Sequence, residues 1–174
     1  MRIHRVQDDQ AAFAAFYEQS RDPCLKALTA VVADRRVAED LAAEAFSRAW
    51  AGWRQVSRHP APRAWVVRTA LNTRVSWWRR RRGEVPWADH EAPATDDGCA
   101  PFDETLLVTL RQLPVRQREV VALRVLLDLD TETTARALGI APGTVTAHLS
   151  RAIAALRRES PDITRRPATV EVTR

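Results

Sequence analysis

Few side chains in this 174-residue chain could bind a metal ion or form a disulfide. Cys24 and Cys99 are the only cysteines, they have no paired spacing, and no histidine cluster lies near either of them. Structural metal sites and disulfide frameworks both need such groupings. The chain also lacks a glycine-rich phosphate loop, and its four histidines are scattered. We therefore expect no metal, no cofactor and no enzymatic activity.

Long apolar runs are also missing. No segment approaches the roughly 18 apolar residues that a membrane-spanning helix requires. The first ten residues, MRIHRVQDDQ, contain no apolar signal core. We therefore expect a cytoplasmic protein without membrane insertion. Hydrophobic residues nevertheless make up 45% of the sequence, which is enough to build a buried core.

Lysine is almost absent, and the charges are unevenly distributed. Lys26 is the only lysine among 27 basic residues. Residues 1–82 contain 16 basic and 8 acidic residues, whereas residues 83–104 contain 7 acidic residues and no Lys or Arg. Residues 105–174 contain 11 basic and 7 acidic residues. The acidic segment has prolines and no hydrophobic period, so it is predicted to be an extended linker between two basic modules.

Residues 63–82, RAWVVRTALNTRVSWWRRRR, are predicted to form a helix with an apolar face and a polar, cationic face. The polar stripe comprises Trp65, Arg68, Thr69, Asn72, Ser76 and Arg79. Arginine binds phosphate, amide and hydroxyl groups reach base edges, and aromatic rings stack on unpaired bases. The stripe is therefore suited to nucleic acid, with a solvated helix face as the alternative.

A second informative pattern lies in residues 130–158. Asp130 is a candidate N-cap, Gly139 suits a left-handed turn, and Pro142 suits the first residue of a following helix. An inward stripe is predicted at Val145, Leu149, Ala152 and Leu156. This combination predicts a helix-turn-helix whose second helix faces a DNA major groove, with a generic helical hairpin as the alternative.

Two helices are predicted ahead of these patterns. Asp8 or Asp9 can cap the first, and Pro23 is expected to bend or interrupt it. Asp34 can cap the second, whose apolar stripe is predicted to run from Val37 through Phe46 to Trp50. Residues 53–62, which include two prolines, are predicted to form a loop.

The polar face of the second helix carries three charges at intervals of four residues, Asp40, Glu44 and Arg48. One interpretation is a row of intrahelical ion pairs, each worth only tenths of a kcal/mol. The other is an acidic docking face for a basic partner. Both interpretations are open at this stage.

Together, these stretches resemble the extracytoplasmic-function, or group IV, sigma factors of bacterial RNA polymerase, in the family's order over roughly residues 10–158. VAEDLAAEAFSRAW resembles the polymerase-docking helix, and RAWVVRTALNTRVSWWRRRR resembles the helix that binds the −10 promoter element. The run from LRQLPVRQREVV to SRAIAALR resembles the domain that binds the −35 element. In this family Thr134 stands where an apolar residue is usual, which predicts a weakly stable C-terminal domain.

The resemblance implies an all-α fold with two small helical domains, an N-terminal helical bundle and a C-terminal helix-turn-helix, joined by an acidic flexible linker. Residues 1–82 would form a sigma region 2-like domain and residues 105–159 a sigma region 4-like domain. Residues 83–104 would be the linker and residues 160–174 a disordered tail. The implied function is promoter-specific transcription initiation with core RNA polymerase, through −10 and −35 recognition and promoter melting.

The resemblance also implies site residues and partners. The −10 set is Ser57, Arg58, His59, Arg63, Trp65, Arg68, Asn72, Ser76, Arg79 and Arg80. The −35 set is Thr144, Thr146, Ala147, His148, Ser150 and Arg151. The polymerase-binding set is Asp40, Leu41, Glu44 and Arg48. The implied partners are core RNA polymerase, promoter DNA as duplex and as non-template single strand, and an anti-sigma factor as a further candidate.

The main rival hypothesis is a helix-turn-helix regulator that binds DNA independently of core polymerase. It accounts for residues 105–158 but gives the other helices and the acidic segment no role. Binding to duplex promoter without any dependence on polymerase would favour it.

Overall fold

The structure is a computed structural model that describes residues 2–81 and 104–159, with side chains for residues 7–74 and 106–159. Every regular element in these ranges is helical, which confirms the predicted all-α fold. The helices are α1 Arg2–Val32, α2 Arg35–Ala51, α3 Trp53–Val56, α4 Pro62–Arg81, α5 Glu104–Gln112, α6 Val115–Val121, α7 Thr131–Leu138 and α8 Pro142–Glu159. A π-helical turn, Ala122–Leu126, continues α6. The predicted tail and all of the predicted linker except Glu104, which begins α5, lie outside the described residues.

The N-terminal bundle consists of α1, α2 and α4, which pack against one another. Asp34 caps α2 as predicted, because its Oδ1 accepts a hydrogen bond from the Val37 backbone N–H at 3.1 Å. The inward face of α2 is rich in alanine, at Ala38, Ala42, Ala45 and Ala49. Small side chains let neighbouring helices approach closely, so α2 is held tightly between α1 and α4.

The first helix departs from the prediction at both its start and its proline. It begins at Arg2, ahead of Asp8 and Asp9, and Asp9 instead forms an ion pair with Arg54 at 3.7 Å. The helix also continues through Pro23. Packing explains the continuity, because Cys24, Ala27 and Leu28, which follow the proline, are fully buried and their burial offsets the lost backbone hydrogen bond.

Part of the predicted loop is helical. Residues 53–56 form α3, and Trp53 is only 8% exposed. Its ring lies 5.2 Å from the rings of both Phe13 and Phe16, measured between centroids. This aromatic packing favours the extra turn of helix, and the remainder of the segment forms the connection to α4.

The helix-turn-helix has the predicted local geometry. Asp130 Oδ1 accepts from the Thr133 backbone N–H at 2.7 Å, and this hydrogen bond is the first of the causes that lower the pKa of Asp130. Gly139 has a φ of +65°, the left-handed conformation that ends α7, and Pro142 begins α8. On the inward stripe Val145 and Ala152 are fully buried.

The N-terminal and C-terminal helices pack against each other, an arrangement that the sequence did not predict. One hydrophobic cluster contains Leu28 and Val67 from the N-terminal helices together with Leu123, Leu127 and Leu138 from the C-terminal ones. A second cluster places Ala30 of α1 among Leu110, Leu113, Val121 and Ala152. This contact, the seam between the two halves, has α1 and α4 on one side and α5, α6, the π-helical turn and α7 on the other.

Candidate nucleic-acid interface

The turn before α4 presents the first three candidates for −10 binding on the surface. Ser57, Arg58 and His59 are all exposed. His59 Nδ1 accepts a hydrogen bond from the Ala61 backbone N–H at 3.0 Å, which orients the ring over the turn. A neutral imidazole that accepts at Nδ1 carries its proton on Nε2, so the outer nitrogen is a donor.

Helix α4 presents the next candidates in unequal environments. Asn72 is exposed, whereas Trp65 and Arg68 are half-buried and Trp65 packs against the core. Arg63 ties α4 to α1, because its Nε donates to Ser20 Oγ at 3.2 Å and its Nη2 donates to the Gln19 carbonyl at 3.1 Å. Among the α4 candidates whose side chains the structure describes, Asn72 is therefore the most exposed.

Arg68 has an unexpected partner. Its Nη1 donates to the Ala137 carbonyl oxygen, at the end of the first helix of the helix-turn-helix. The candidate DNA-binding face of α4 is therefore in contact with α7. The side chains of Ser76, Arg79 and Arg80, which complete the −10 set, lie outside the described residues.

Helix α8 carries the −35 candidates in two groups. Thr144, Thr146, Ser150 and Arg151 are exposed, as base-reading residues must be. Ala147 and His148 are half-buried, and His148 Nδ1 is shielded from solvent without a hydrogen bond to the described part of the chain. The exposed −35 candidates of α8 thus offer three hydroxyls and one guanidinium.

The candidate polymerase-binding face of α2 is also only partly exposed. Asp40 is exposed, and Glu44 Oε1 accepts from Arg48 Nε at 2.7 Å. Leu41 is 6% exposed and belongs to the hydrophobic core, so its side chain supports the helix from within. Asp40, Glu44 and Arg48 therefore form one charged surface, to which Leu41 does not contribute.

Some notable residues were not predicted as site residues. Trp50 was predicted on the apolar stripe of α2 but is 44% exposed, beside a cavity that Asp9, Trp53 and Arg54 also line. Arg118 on α6 is half-buried, and within the described ranges no group accepts a hydrogen bond from its Nε. Helical periodicity places Arg118 among ordinary surface arginines, so only its tertiary surroundings distinguish it.

Within residues 2–81 and 104–159, no helix combines the length and apolar character needed to cross a bilayer. In the same ranges, no three His, Cys, Asp or Glu side chains are grouped so that they could hold a metal ion.

Comparison with known proteins gives matches in the same order along the chain. The family model "Sigma-70 region 2" matches residues 16–84, and "Sigma-70, region 4" matches residues 103–156. The RNA polymerase sigma-E factor of Streptomyces coelicolor is 36% identical, over 84% of this chain and 85% of its own length. The ECF RNA polymerase sigma factor SigW of Bacillus subtilis is 26% identical, over 93% of this chain and 96% of its own length. This chain belongs to the extracytoplasmic-function sigma factors.

The sigma factor therefore binds core RNA polymerase and promoter DNA and directs promoter-specific initiation, as the resemblance implied. The rival hypothesis of a regulator that acts without polymerase is not favoured. The fold is similar to that of the sigma factor RpoE from Bartonella quintana, crystallised with the anti-sigma factor NepR. That likeness has a TM-score of 0.69 at 22% identity and covers 86% of this sigma factor and 97% of the Bartonella chain.

Proposed function

We propose that the two helical regions divide the work of this sigma factor between two promoter elements. Residues 1–82 would dock on core polymerase, bind the −10 element and help to melt it, and residues 105–159 would bind the −35 element. The observation that carries this division is the presence of two separate polar faces, on α4 and on α8, each with exposed base-reading side chains. An all-helical chain that offers two such faces can hold two elements of one promoter at once.

Capture of single-stranded bases explains how binding alone can melt DNA. Asn72 is exposed for hydrogen bonds to a base edge, and Trp65, which is supported by the core, offers a partly exposed ring for stacking. A stacked base contributes on the order of 1 to 3 kcal/mol. Because these groups bind an extruded base better than a paired one, binding shifts the equilibrium towards the open strand. Promoter melting by this route needs no covalent chemistry, in agreement with the non-catalytic role of sigma factors in initiation.

The −35 element would be read by the exposed side of α8. Thr144, Thr146 and Ser150 can donate to or accept from base edges in a major groove, and Arg151 can bind a guanine or a phosphate. The two hydroxyl-bearing threonines near the start of α8 are in the position from which a recognition helix contacts bases. This face of α8 carries fewer cations than an arginine-rich recognition helix would. Binding to the −35 element would therefore depend less on phosphate contacts.

Docking on polymerase would use the acidic side of α2. Asp40 and Glu44 lie one turn apart on the same face and are exposed, so they can meet basic side chains of a partner. The ion pair between Glu44 and Arg48 is exposed and contributes little stability by itself, which leaves both groups free to exchange partners.

We also propose that the sigma factor works in the cytoplasm, where its DNA template is, and that an anti-sigma factor is a further partner.

Run-off transcription tests the proposal. Purified core polymerase would be assayed with and without the sigma factor across a library of promoter sequences. Specific transcripts that need both partners, with sequence preferences at two separated elements, are the expected result. A single preferred element, or transcripts that do not depend on the sigma factor, would contradict the proposed division of work.

A further inference from the structure

The turn between α3 and α4 is fixed to the end of α3 by backbone hydrogen bonds. Ser57 N–H donates to the Trp53 carbonyl oxygen at 2.8 Å. His59 N–H donates to the Val56 carbonyl oxygen at 3.0 Å. The main chain of His59 is therefore held against α3, while its side chain is exposed on the surface that carries the first −10 candidates.

Ala61 has the only backbone N–H between His59 and Arg63, because its neighbours Pro60 and Pro62 have none. Ala61 is only 9% exposed. A buried backbone N–H that finds no acceptor is destabilising, so this group needs a partner. The ring of His59 supplies one, since its Nδ1 accepts from the Ala61 N–H at 3.0 Å.

The same alanine begins the hydrogen bonding of α4. Its carbonyl oxygen accepts from the Trp65 N–H at 3.1 Å, and Pro62 is the first residue of the helix. A single residue thus connects the ring of His59 to the first turn of α4, where Trp65 lies. The bond to Nδ1 therefore helps to set the direction in which α4 leaves the turn, and with it the position of the Trp65 ring relative to α3.

We propose that the two ring nitrogens of His59 have separate roles in −10 recognition: Nδ1 positions the start of α4, and the outer Nε2–H donates to a hydrogen-bond acceptor on an extruded base. This inference rests on the proposed function, which assigns the turn and α4 to the −10 element. An uncharged donor of fixed direction suits a base edge, whereas the exposed cation of Arg58 beside it suits a phosphate.

The contact between His59 and Ala61 imitates an Asx turn. In such a turn the side-chain oxygen of Asn or Asp accepts from the N–H two residues further along the chain. Asparagine at position 59 can therefore replace the positioning nitrogen, but its side chain is too short to replace Nε2. His59→Asn should keep the first role and lose the second, whereas His59→Ala should lose both.

Amide hydrogen exchange of the full-length sigma factor, followed by NMR, tests the positioning role without DNA. The Ala61 amide should be protected in the unaltered chain and in His59→Asn, and should exchange roughly tenfold faster in His59→Ala. Gln55→Ala is the matched control, because Gln55 is an exposed side chain of α3 outside the −10 set. Equal exchange at Ala61 in His59→Ala and Gln55→Ala would overturn the positioning role. If His59→Ala fails to fold while His59→Asn folds, that difference itself supports the role.

Binding of single-stranded −10 oligonucleotides to the sigma factor on core polymerase tests the base contact. In fluorescence anisotropy His59→Asn should bind roughly three- to tenfold more weakly than the unaltered chain, the effect of one lost hydrogen bond. Gln55→Ala should bind with unchanged affinity. Full affinity of His59→Asn for every oligonucleotide would overturn the base contact.

Base analogues locate the partner of Nε2. Each base would be replaced in turn by an analogue with a missing or weakened acceptor, a 7-deazapurine or a thiopyrimidine. At one position the analogue should weaken binding by the unaltered chain and by Gln55→Ala equally, and should have no further effect on His59→Asn. Coupling of His59 to a methylphosphonate linkage, and to no base, would show that Nε2 binds the backbone and would contradict the proposal.

Run-off transcription distinguishes failure of this inference from failure of the proposed function. Transcription without a preferred −10 element would contradict the proposed function, even with the Ala61 amide still protected by His59. A normal −10 preference, together with no coupling between His59 and any base, would overturn the inference and leave the proposed function standing.

Discussion

The hydroxyl groups of Thr133 and Thr134, neighbours in α7, lie in opposite environments. Thr133 Oγ1 donates to Asp130 Oδ2 at 2.8 Å and lies 3.0 Å from Arg136 Nη2, which donates to it. Thr134 is fully buried, and no group in the described part of the chain forms a hydrogen bond with its Oγ1. The first hydroxyl therefore supports the cap of the helix, whereas the second is desolvated without compensation.

Replacement of these two threonines should change stability in opposite directions. Thr134→Val keeps the shape of the side chain but removes the unpaired hydroxyl, so it should raise the free energy of unfolding by about 1 kcal/mol. Thr133→Val should lower it, because the cap loses its hydroxyl hydrogen bonds. Urea denaturation followed by circular dichroism measures both. A decrease for Thr134→Val of the same size as for Thr133→Val would show that the buried hydroxyl has a partner after all.

Alkaline pH should destabilise the fold through Cys24. Burial raises the pKa of this thiol from 9.0 to about 12, with a smaller opposing effect of Arg63. Because the folded pKa is above the unfolded one, the stabilising effect is complete below pH 9.0 and is lost as the pH rises towards about 12. Within that window the free energy of unfolding should fall by up to about 1.4 kcal/mol per pH unit from this group.

Denaturation at several pH values checks this prediction. The Cys24→Ala variant should lack this part of the alkaline slope, since it has no thiol to ionise in the unfolded state. Cys99→Ser is the control for loss of a cysteine and should keep the slope. Equal slopes for Cys24→Ala and for the unaltered chain would argue against a neutral buried thiol.

Two glutamates of α2 allow a matched test of polymerase docking. Glu39 and Glu44 are 47% and 48% exposed, and each forms an ion pair four residues away, with Arg35 and Arg48 respectively. Only Glu44 lies on the proposed docking face with Asp40. Glu44→Gln should therefore weaken binding to core polymerase by roughly three- to tenfold, the usual effect of one charge at an interface rim.

The control for this experiment is Glu39→Gln, which removes the same charge and an equivalent ion pair. It should bind core polymerase with unchanged affinity in a fluorescence titration. If both variants lose affinity equally, the effect belongs to the overall charge of the sigma factor, and the docking face is placed wrongly.

Asn72→Ala should affect promoter melting more than promoter binding. Its amide is exposed on α4 and in the proposed mechanism it binds an extruded base, so its loss should reduce open-complex formation roughly tenfold. Permanganate footprinting of open complexes and gel-shift assays of duplex binding separate the two steps. Gln112→Ala, another exposed amide outside the proposed sites, should leave both steps unchanged.

A template that is already unpaired at the −10 element sharpens this test. Asn72→Ala should still bind it less tightly than the unaltered sigma factor, because the base contact itself is missing. Duplex binding at the −35 element, which the proposed division assigns to α8, should remain unaltered. Equal loss of affinity at both elements would mean that Asn72 supports the fold and does not contact a base.

Several local features were predictable because their causes lie within a few residues along the chain. Asp34 and Asp130 accept hydrogen bonds from N–H groups three residues away, so an acidic residue ahead of an apolar period is a sufficient signal. Gly139 was predictable because glycine adopts positive φ without steric cost. The candidate sites were predictable as residue types on helix faces, since exposed faces follow from helical periodicity.

Other features depended on residues that are distant in sequence. The continuity of α1 through Pro23 follows from burial against other helices, and α3 forms because Trp53 packs among aromatic rings of α1. Trp50 was assigned to the apolar stripe and yet is largely exposed, because no neighbouring helix covers that end of the stripe fully. Periodicity identifies an apolar face but cannot say how much of it a partner covers.

The sequence by itself determined the order of the main helices, where several of them are capped, and which residues are candidate site residues on each helix face, because these properties arise from neighbours along one helix. Only the tertiary structure decided how the two halves meet. The contacts from Arg111 to Ala33 and from Arg68 to Ala137 join residues 78 and 69 positions apart. No local pattern encodes such pairs, since they form only when complementary apolar surfaces have already brought the helices together.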